Sequence, residues 1–314
     1  MRKAKLAVAL TTLSVAIVAW AVPITGIAHQ RVRPQFFMPE SVQSVAPIKL
    51  RDERDRGLLA TGWINGAGPF VFAIDTGAGV SLISRNVVQQ ARLQVNRSRR
   101  PLVGGLSTSP IASNEEARLS GLALGRPDNR ISTTAIAAVV ANLPAEIDGI
   151  LDPTDVFRPY GYSVDIPQRE LRVFNANSQG LRLNQPPRDG GVVRWVREAG
   201  NDRPFVRLSD GRLALIDTGS SLGFAVNEAR SLAGRNHREA ENRSDLGGGR
   251  VQYRRVEPQT VSIGTLVLNK VPTEVLTGVA PGTPIILGRG ALFPFKITFD
   301  PVARLISFEP TERD

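Results

Sequence analysis

The feature that most constrains how this chain folds is the tetrapeptide Ile-Asp-Thr-Gly, which occurs twice, at residues 74–77 and 216–219. Each copy closes a run of apolar residues. A short apolar run that ends at a glycine predicts a buried strand leading into a tight turn. Because an ionised aspartate is seldom buried without a partner, Asp75 and Asp217 are candidate functional residues and candidate partners of each other.

The segments around the two tetrapeptides also recur in the same order along the chain. The aligned pairs are residues 150–157 with 286–293, 162–165 with 297–300, and 171–174 with 305–308. Such self-similarity indicates a duplicated structural unit, here of about 120 residues. The repeat predicts an all-β fold of two duplicated β-rich lobes, which are related by a pseudo-two-fold axis and each carry a short helix.

The predicted lobes divide the chain near its middle. We expect the N-terminal lobe to span residues 51–180 and the C-terminal lobe residues 181–314, with the boundary in a stretch containing Pro-Pro and Gly-Gly pairs. The expected helices are residues 84–93, where a serine precedes apolar residues at helical spacing, and the equivalent residues 227–234.

The N-terminus predicts export. Three basic residues precede an uncharged, largely apolar run over residues 6–21, which ends in a small-x-small cleavage pattern. Residues 1–28 are therefore interpreted as a signal peptide or a membrane anchor, and residues 29–50 as a linker. Both alternatives place the folded part outside the cytoplasm, whether periplasmic, secreted or membrane-anchored. The chain has no cysteine, so disulfides and thiol chemistry are excluded.

The charge pattern bears on partners and cofactors. The net charge is +10, mostly from scattered arginines without interleaved aromatic residues. This pattern predicts a solvated basic surface and no nucleic-acid partner. The only histidines, His29 and His237, are expected at the surface because a metal site needs more ligands. We expect neither a metal nor a cofactor.

A two-fold arrangement would bring Asp75 and Asp217 face to face. Two touching carboxyls share one proton, so the ionised member can activate a water while the protonated member polarises a substrate carbonyl. A glycine after each threonine lets the backbone approach the carboxylate, and the threonine hydroxyl can hydrogen-bond across the axis. The expected supporting residues are Thr76, Gly77 and Ala78 in the first copy and Thr218, Gly219 and Ser220 in the second.

Each half also contains a glycine-rich stretch downstream of its acid. The first includes Gly104 and Gly105, and the second includes Gly247 and Gly248. These stretches are predicted to be hairpins that close over an extended peptide and pair with its backbone.

Together these motifs resemble the aspartic protease superfamily over residues 57–310. Asp-Thr-Gly-Ala at 75–78 and Leu-Gly-Arg at 287–289 resemble retropepsins, while Asp-Thr-Gly-Ser-Ser at 217–221 and Asp-Gly-Ile-Leu at 148–151 resemble pepsins. The resemblance implies a pepsin-like bilobal monomer with retropepsin-like lobes, of the exported bacterial type. It also implies endopeptidase activity on extended polypeptides, a water bound by Asp75 and Asp217, and inhibition by statine-type compounds.

The first half departs from the family pattern in three respects. Asp152 and Pro153 stand where the resemblance places a glycine that packs behind the active turn. Neither glycine-rich stretch contains the tyrosine of a pepsin-type flap. Ala78 replaces the serine that hydrogen-bonds the acid in pepsins, which predicts a pH optimum less acidic than that of pepsin.

Other interpretations remain open at this point. The main alternative is a catalytically impaired protein of the same fold that binds peptides or proteins. The Gly-x-Ser-x-Gly pattern at 219–223 would need His237 for α/β-hydrolase chemistry, in a context that is not alternating β and α. The two aspartates could also be turn residues that cap backbone groups. The basic charge alone would suit an envelope protein that contacts anionic polymers.

Overall fold

Strands make up most of the structure, which is a computed structural model. It describes residues 45–53, 56–104, 106, 111–141, 143–144, 146–198, 202–228, 241–244, 250–280 and 282–311. The predicted signal peptide or anchor lies outside these ranges. Within them, no helix has the length and apolar character that a membrane crossing needs.

The strands, in chain order, are β1 Ile48–Lys49, β2 Arg51–Glu53, β3 Gly57–Ile64, β4 Ala67–Ile74, β5 Ser81–Ser84, β6 Val95–Gly104, β7 Ile111–Arg118, β8 Ala123–Leu124, β9 Ile136–Val140, β10 Gly149–Leu151, β11 Gly161–Asp165, β12 Glu170–Phe174, β13 Gly191–Arg194, β14 Phe205–Arg207, β15 Leu213–Asp217, β16 Phe224–Asn227, β17 Glu241–Ser244, β18 Arg250–Ile263, β19 Leu266–Thr277, β20 Ile285–Gly288, β21 Phe295–Asp300 and β22 Leu305–Pro310. The helices are α1 Arg85–Gln90, α2 Pro153–Val156, α3 Ala176–Gln179 and α4 Arg289–Leu292.

Two sheets repeat the same topology, one in each half of the chain. The first has the order β2-β3-β4-β10-β5-β9-β7-β6, with β8 beside β3. The second has the order β14-β15-β20-β16-β19-β18-β17. From β3 onward each strand of the first sheet has an equivalent at the same place in the second. The predicted all-β fold of two duplicated lobes is therefore confirmed.

A third sheet is shared by the two lobes. Its order is β1-β12-β11-β21-β22-β13, so the first three strands come from one half and the last three from the other. At its centre β11 and β21 pair antiparallel, and Ser163 lies opposite Thr298. These two residues are also equivalent in the sequence repeat. The pseudo-two-fold axis therefore passes between them.

The apolar core continues from the lobes into this shared sheet. Tyr162 of β11 stacks on Phe299 of β21, with ring centroids 4.7 Å apart and an interplanar angle of 17°. Both rings are fully buried. Burial of two aromatic side chains at the junction stabilises the contact between the lobes.

Local sequence accounts for the hairpin that leads to the first acid. Asn65 and Gly66 both have positive φ angles, of 50° and 79°, and join β3 to β4. A two-residue loop of this kind matches the twist of the flanking strands. The hairpin brings β4, with its buried residues Phe70 and Phe72, against the core of the first lobe.

The expected helix of the first lobe is present as α1, and the Ser84 hydroxyl accepts a hydrogen bond from the N–H of Val87 as its cap. The second expected helix, at 227–234, lies outside the described residues beyond position 228. The described part of the second lobe contains α4, which is the equivalent of α2 in the first lobe. Strand β1 lies within residues 29–50, the segment interpreted as a linker. It pairs with β12 at the edge of the shared sheet, and the side chain of Ile48 is fully buried there.

Candidate active site

Each candidate acid lies at the carboxyl end of a buried strand. Asp75 directly follows β4, and its N–H donates a hydrogen bond to the carbonyl of Leu151 in β10, at 3.0 Å. Asp217 ends β15 and lies in register with Gly288 of the parallel strand β20. Both acids are less than one tenth exposed. The duplicated fold therefore places them at equivalent positions.

The two acids face each other across the pseudo-axis. A Cβ atom added to Gly77 would lie 2.6 Å from Cγ of Asp217, and one added to Gly219 would lie 2.3 Å from Cγ of Asp75. Neither distance leaves room for a side chain. Each glycine thus allows its turn to contact the carboxyl of the opposite lobe.

Two threonine hydroxyls cross-link the turns. Oγ1 of Thr76 donates to the carbonyl of Ile216 at 2.7 Å and accepts from the N–H of Thr218 at 3.0 Å. Oγ1 of Thr218 donates to the carbonyl of Ile74 at 3.0 Å and accepts from the N–H of Thr76 at 3.2 Å. Both threonines are fully buried. These bonds follow the crossing expected from the sequence and hold the turns in a fixed relation.

The electrostatic surroundings of the two acids differ. Burial raises the pKa of both carboxyls, and the charge of Asp217 raises the pKa of Asp75 further. The N–H of Ser220 donates to Oδ1 of Asp217 at 2.9 Å, and the Arg289 guanidinium also favours the Asp217 anion, so these groups oppose the rise in its pKa. The hydrogen bond between the carboxyls raises the pKa of Asp75 and lowers that of Asp217. The N–H of Gly77 donates to Oδ1 of Asp75 at 2.8 Å and lowers the pKa of that carboxyl. The remaining contacts favour the protonated form of Asp75 and the anion of Asp217.

The side chain of Arg289 supports the turn that follows Asp217. Its Nη1 donates to the carbonyls of Thr218 and Gly219 at 3.0 and 3.2 Å, and its Nη2 donates to the carbonyl of Glu53 at 3.0 Å. The residue is only 5% exposed and forms an ion pair with Asp52. The sequence alone did not identify Arg289 as a residue that supports the turn. The only sequence feature that pointed to it was the Leu-Gly-Arg motif at 287–289.

The second turn is also tied to the strand and helix behind it by backbone hydrogen bonds. They run from Gly288 N–H to the Gly223 carbonyl at 2.9 Å, from Arg289 N–H to the Ser220 carbonyl at 2.7 Å, and from Gly290 N–H to the Leu222 carbonyl at 2.9 Å. The Ser220 hydroxyl accepts from the N–H of Leu222 at 3.3 Å, so its contact with Asp217 is made by the backbone. All three bonds depend on N–H groups of the Gly-Arg-Gly segment.

The first turn lacks this set of backbone bonds. The N–H of Asp152 donates to Oγ of Ser81 at 3.0 Å, and Pro153 has no N–H to donate. The N–H of Thr154 donates to Oδ1 of Asp152 at 2.9 Å and not to the turn. Val80 is 37% exposed, whereas the equivalent residue of the second turn is 7% exposed. The first turn is thus less firmly tied to the elements behind it.

Only part of the predicted glycine hairpins can be placed. Gly104 ends β6 and pairs with Ile111 of β7, which establishes the first hairpin. Gly105 lies outside the described residues, as do Gly247 and Gly248, which fall between the paired strands β17 and β18.

Beyond β6, the first hairpin reaches the second lobe. The carbonyl of Leu106 accepts a hydrogen bond from the N–H of Ala280 at 3.0 Å. The Leu106 side chain packs against a small apolar cluster of the second lobe that includes Leu222. Because Leu222 belongs to the turn that follows Asp217, Leu106 links the first hairpin to the second lobe close to that turn.

The described residues give no support to the other chemistries considered. Within the described ranges, no group of three or more His, Cys, Asp or Glu side chains could hold a metal ion. His29 and His237 lie outside those ranges, and so does any hydrolase triad that would depend on His237.

A comparison with protein-family models agrees with this geometry. The model described as "Aspartyl protease" matches residues 60–151, a segment that contains the first acid and its supporting strands. A search of curated proteins found no match to the chain. The family match supports a protease-type function for the site.

Proposed function

We propose that this chain is an aspartic endopeptidase that hydrolyses peptide bonds in extended polypeptides. One observation carries the proposal: two buried carboxyls, Asp75 and Asp217, lie on equivalent turns that are cross-linked by Thr76 and Thr218. Two buried acids side by side are costly for a fold, so their joint burial points to a chemical role.

The different surroundings of the two carboxyls suggest that one acts as the base and the other as the acid. Ionised Asp217 takes a proton from a bound water, whose oxygen attacks the scissile carbonyl carbon, while Asp75 donates its proton to the carbonyl oxygen. The resulting gem-diol collapses when Asp217 protonates the amide nitrogen and Asp75 takes back a hydroxyl proton. The C–N bond breaks, the carbonyl re-forms, and the acids return to their starting state.

The surroundings of the acids favour an extended substrate. The first hairpin is linked to the second lobe close to the turn that follows Asp217, and its strands could pair with the backbone of a bound peptide. Both lobes come from one chain, so a monomer has both acids. We also propose that the enzyme acts outside the cytoplasm, on the evidence of the N-terminal sequence.

Peptide cleavage by purified residues 29–314 tests this proposal. Unfolded polypeptides of mixed sequence are incubated from pH 3 to pH 8, and the products are sequenced by mass spectrometry. Asp75→Asn and Asp217→Asn should each lower the rate by at least about a thousandfold. The matched control is Asp128→Asn, which removes an exposed carboxylate far from the turns in sequence.

Two outcomes would contradict the proposal. If wild type and both variants bind peptides but cleave none, the chain is a binding protein of the same fold. If either single variant keeps full activity, a mechanism based on a shared proton is wrong.

A further inference from the structure

A third carboxyl lies beside the first catalytic turn. Strand β10 runs parallel to β4, with Leu151 opposite Ile74, so Asp152 comes next at the level of Asp75. In the second lobe the residue in register with Asp217 is Gly288. Adjacent strands lie about 4.8 Å apart, so Asp152 is an immediate neighbour of one member of the pair. The two lobes therefore differ by one carboxyl next to the acids.

Asp152 is enclosed by protein. It is 3% exposed, and its Oδ1 accepts a hydrogen bond from the N–H of Thr154. The titratable groups around it are Asp75 in the turn, Asp155 on α2 and Tyr162 on β11. Among the residues that the structure describes, no arginine or lysine forms an ion pair with it. Its carboxylate is stabilised by hydrogen bonds from neutral groups, which are the N–H groups of Thr154 and Asp155 and the Thr154 hydroxyl.

The fold itself does not require a carboxyl at this position. The second lobe starts α4 from Gly288 without any side-chain cap. A Cβ atom on Gly288 would lie 2.5 Å from the Leu222 carbonyl oxygen, so that lobe excludes a side chain. An uncharged Ser or Asn would cap α2 as well as Asp152 does. Capping alone therefore does not explain a buried acid.

The charge of Asp152 acts on the catalytic pair. Burial and the charge of Asp217 are the main causes that raise the pKa of Asp75, and the charge of Asp152 raises it further. Burial raises the pKa of Asp152 itself to about 7, so its charge develops near neutral pH. A negative charge at this distance makes the loss of the shared proton less favourable.

We propose that Asp152 is a positioning residue for the endopeptidase reaction, whose negative charge holds the shared proton on Asp75 and extends cleavage to neutral pH. This inference rests on the proposed function. Arg289 acts on the opposite side, where its cation favours the Asp217 anion. The two residues together keep the proton on the first lobe and the negative charge on the second.

The pH dependence of peptide cleavage tests the role of Asp152. Asp152→Asn keeps the side-chain size and the acceptor for Thr154 but removes the charge. The alkaline limb of kcat/KM should move to lower pH, and the acidic limb should not move because Asp152 is protonated there. Ser81→Ala is the matched control, because it removes the hydrogen bond to the Asp152 N–H without a change of charge. An alkaline limb that Asp152→Asn leaves in place would overturn the proposal.

A second measurement keeps this inference separate from the proposed function. Carboxyl carbon NMR of aspartate-labelled protein follows the titration of the pair without any substrate. The apparent pKa of the pair should fall in Asp152→Asn and stay unchanged in Ser81→Ala. If the wild type cleaves nothing but this shift occurs, the proposed function fails and the coupling stands. If cleavage occurs and the titration is the same in both proteins, the role of Asp152 is refuted.

Discussion

At the scale of single residues, two buried threonine hydroxyls pair backbone groups of the two turns across the pseudo-axis. Thr76 and Thr218 each use their hydroxyl twice, as a donor to a carbonyl before the opposite acid and as an acceptor from the opposite threonine. No water could replace them without a cavity at the pseudo-axis. Removal of either hydroxyl should therefore lower the stability of the protein more than the loss of an ordinary surface hydrogen bond does.

The substitution Thr76→Val should destabilise the protein by about 2–4 kcal/mol, because it leaves the Ile216 carbonyl and the Thr218 N–H buried without their partner. Activity should fall together with stability. Urea unfolding measures the loss, and Thr76→Ser is the control because it keeps the hydroxyl. Equal stability of the valine and serine variants would show that the cross-link contributes little.

The buried carboxyl of Asp152 should make stability depend on pH. Burial raises the pKa of Asp152 to about 7 in the folded protein, from 3.8 for an unburied aspartate. Its contribution is fully present below pH 3.8 and is lost as the pH rises through 7. Relative to wild type, Asp152→Asn should therefore gain up to about 4 kcal/mol between pH 4 and pH 8. Denaturant unfolding at the two pH values checks this, and a constant difference would contradict it.

At the scale of elements, the junction between strand and helix behind each acid is where the lobes diverge. The second lobe joins β20 to α4 through Gly-Arg-Gly, and the N–H groups of that segment hold the active turn. The first lobe joins β10 to α2 through Asp-Pro-Thr, whose side chains supply the bonds. The same topology thus has a rigid, backbone-tied turn in one lobe and a side-chain-tied turn in the other.

This difference predicts unequal tolerance to exchange of the two residues. Gly288→Asp should destabilise the protein by about 3 kcal/mol or more, because the new Cβ would meet the carbonyls of Leu222 and Ser220 at 2.5 and 2.8 Å. Asp152→Gly removes a cap and should cost only about 0.3 kcal/mol at acidic pH, because glycine is itself tolerated at this position of a helix. Thermal unfolding of the two variants compares them, and similar losses would mean that the second turn relaxes easily.

Much of this element arrangement could be predicted from the sequence, for a physical reason. The two acids and the segments 150–157 and 286–293 recur because each lobe needs the same strand, turn and register to be stable. The alignment also placed Asp152 opposite a glycine before the structure did. By contrast, the contact of Arg289 with Glu53 joins residues 236 positions apart and depends on how the lobes pack. No local pattern encodes such a contact.

The sequence also could not predict that Ser220 contacts Asp217 through its backbone N–H. A serine after Asp-Thr-Gly suggests a hydroxyl bonded to the acid, but the hydroxyl bonds to Leu222 and the N–H bonds to Asp217. Both arrangements satisfy the turn, and only its φ and ψ angles decide between them. The reach of Leu106 to Ala280 is another case in which the outcome depends on loop geometry.

At the scale of the whole molecule, the shared sheet makes the two lobes depend on each other. Strand β11 pairs with β21 over residues 162–165 and 296–299, and the stacked Tyr162 and Phe299 rings lie at this junction. The division at residue 181 therefore remains a prediction about sequence organisation. Each half alone would turn a central strand, β11 or β21, into an exposed edge strand and would expose one face of an aromatic pair.

Residues 29–314 should accordingly unfold in one cooperative transition. The shared sheet and the threonine cross-links must break together with either lobe, so no state with a single folded lobe should be populated. Calorimetry checks this through the ratio of van't Hoff to calorimetric enthalpy, which should be about one. Phe299→Ala should lower the midpoint of that single transition. Two resolved transitions would show that the lobes are independent.

The pseudo-two-fold axis carries two separate attachments between the lobes, which are the threonine cross-link and the pair Ser163 and Thr298. Two attachment points on one axis resist any tilt of one lobe away from the other, but they permit a small rotation about that axis. In such a rotation an atom moves in proportion to its distance from the axis. The carboxyls next to the axis would hardly move, while an edge strand such as β17 would travel farther. The rim of the molecule could thus shift without a change in the spacing of the two acids.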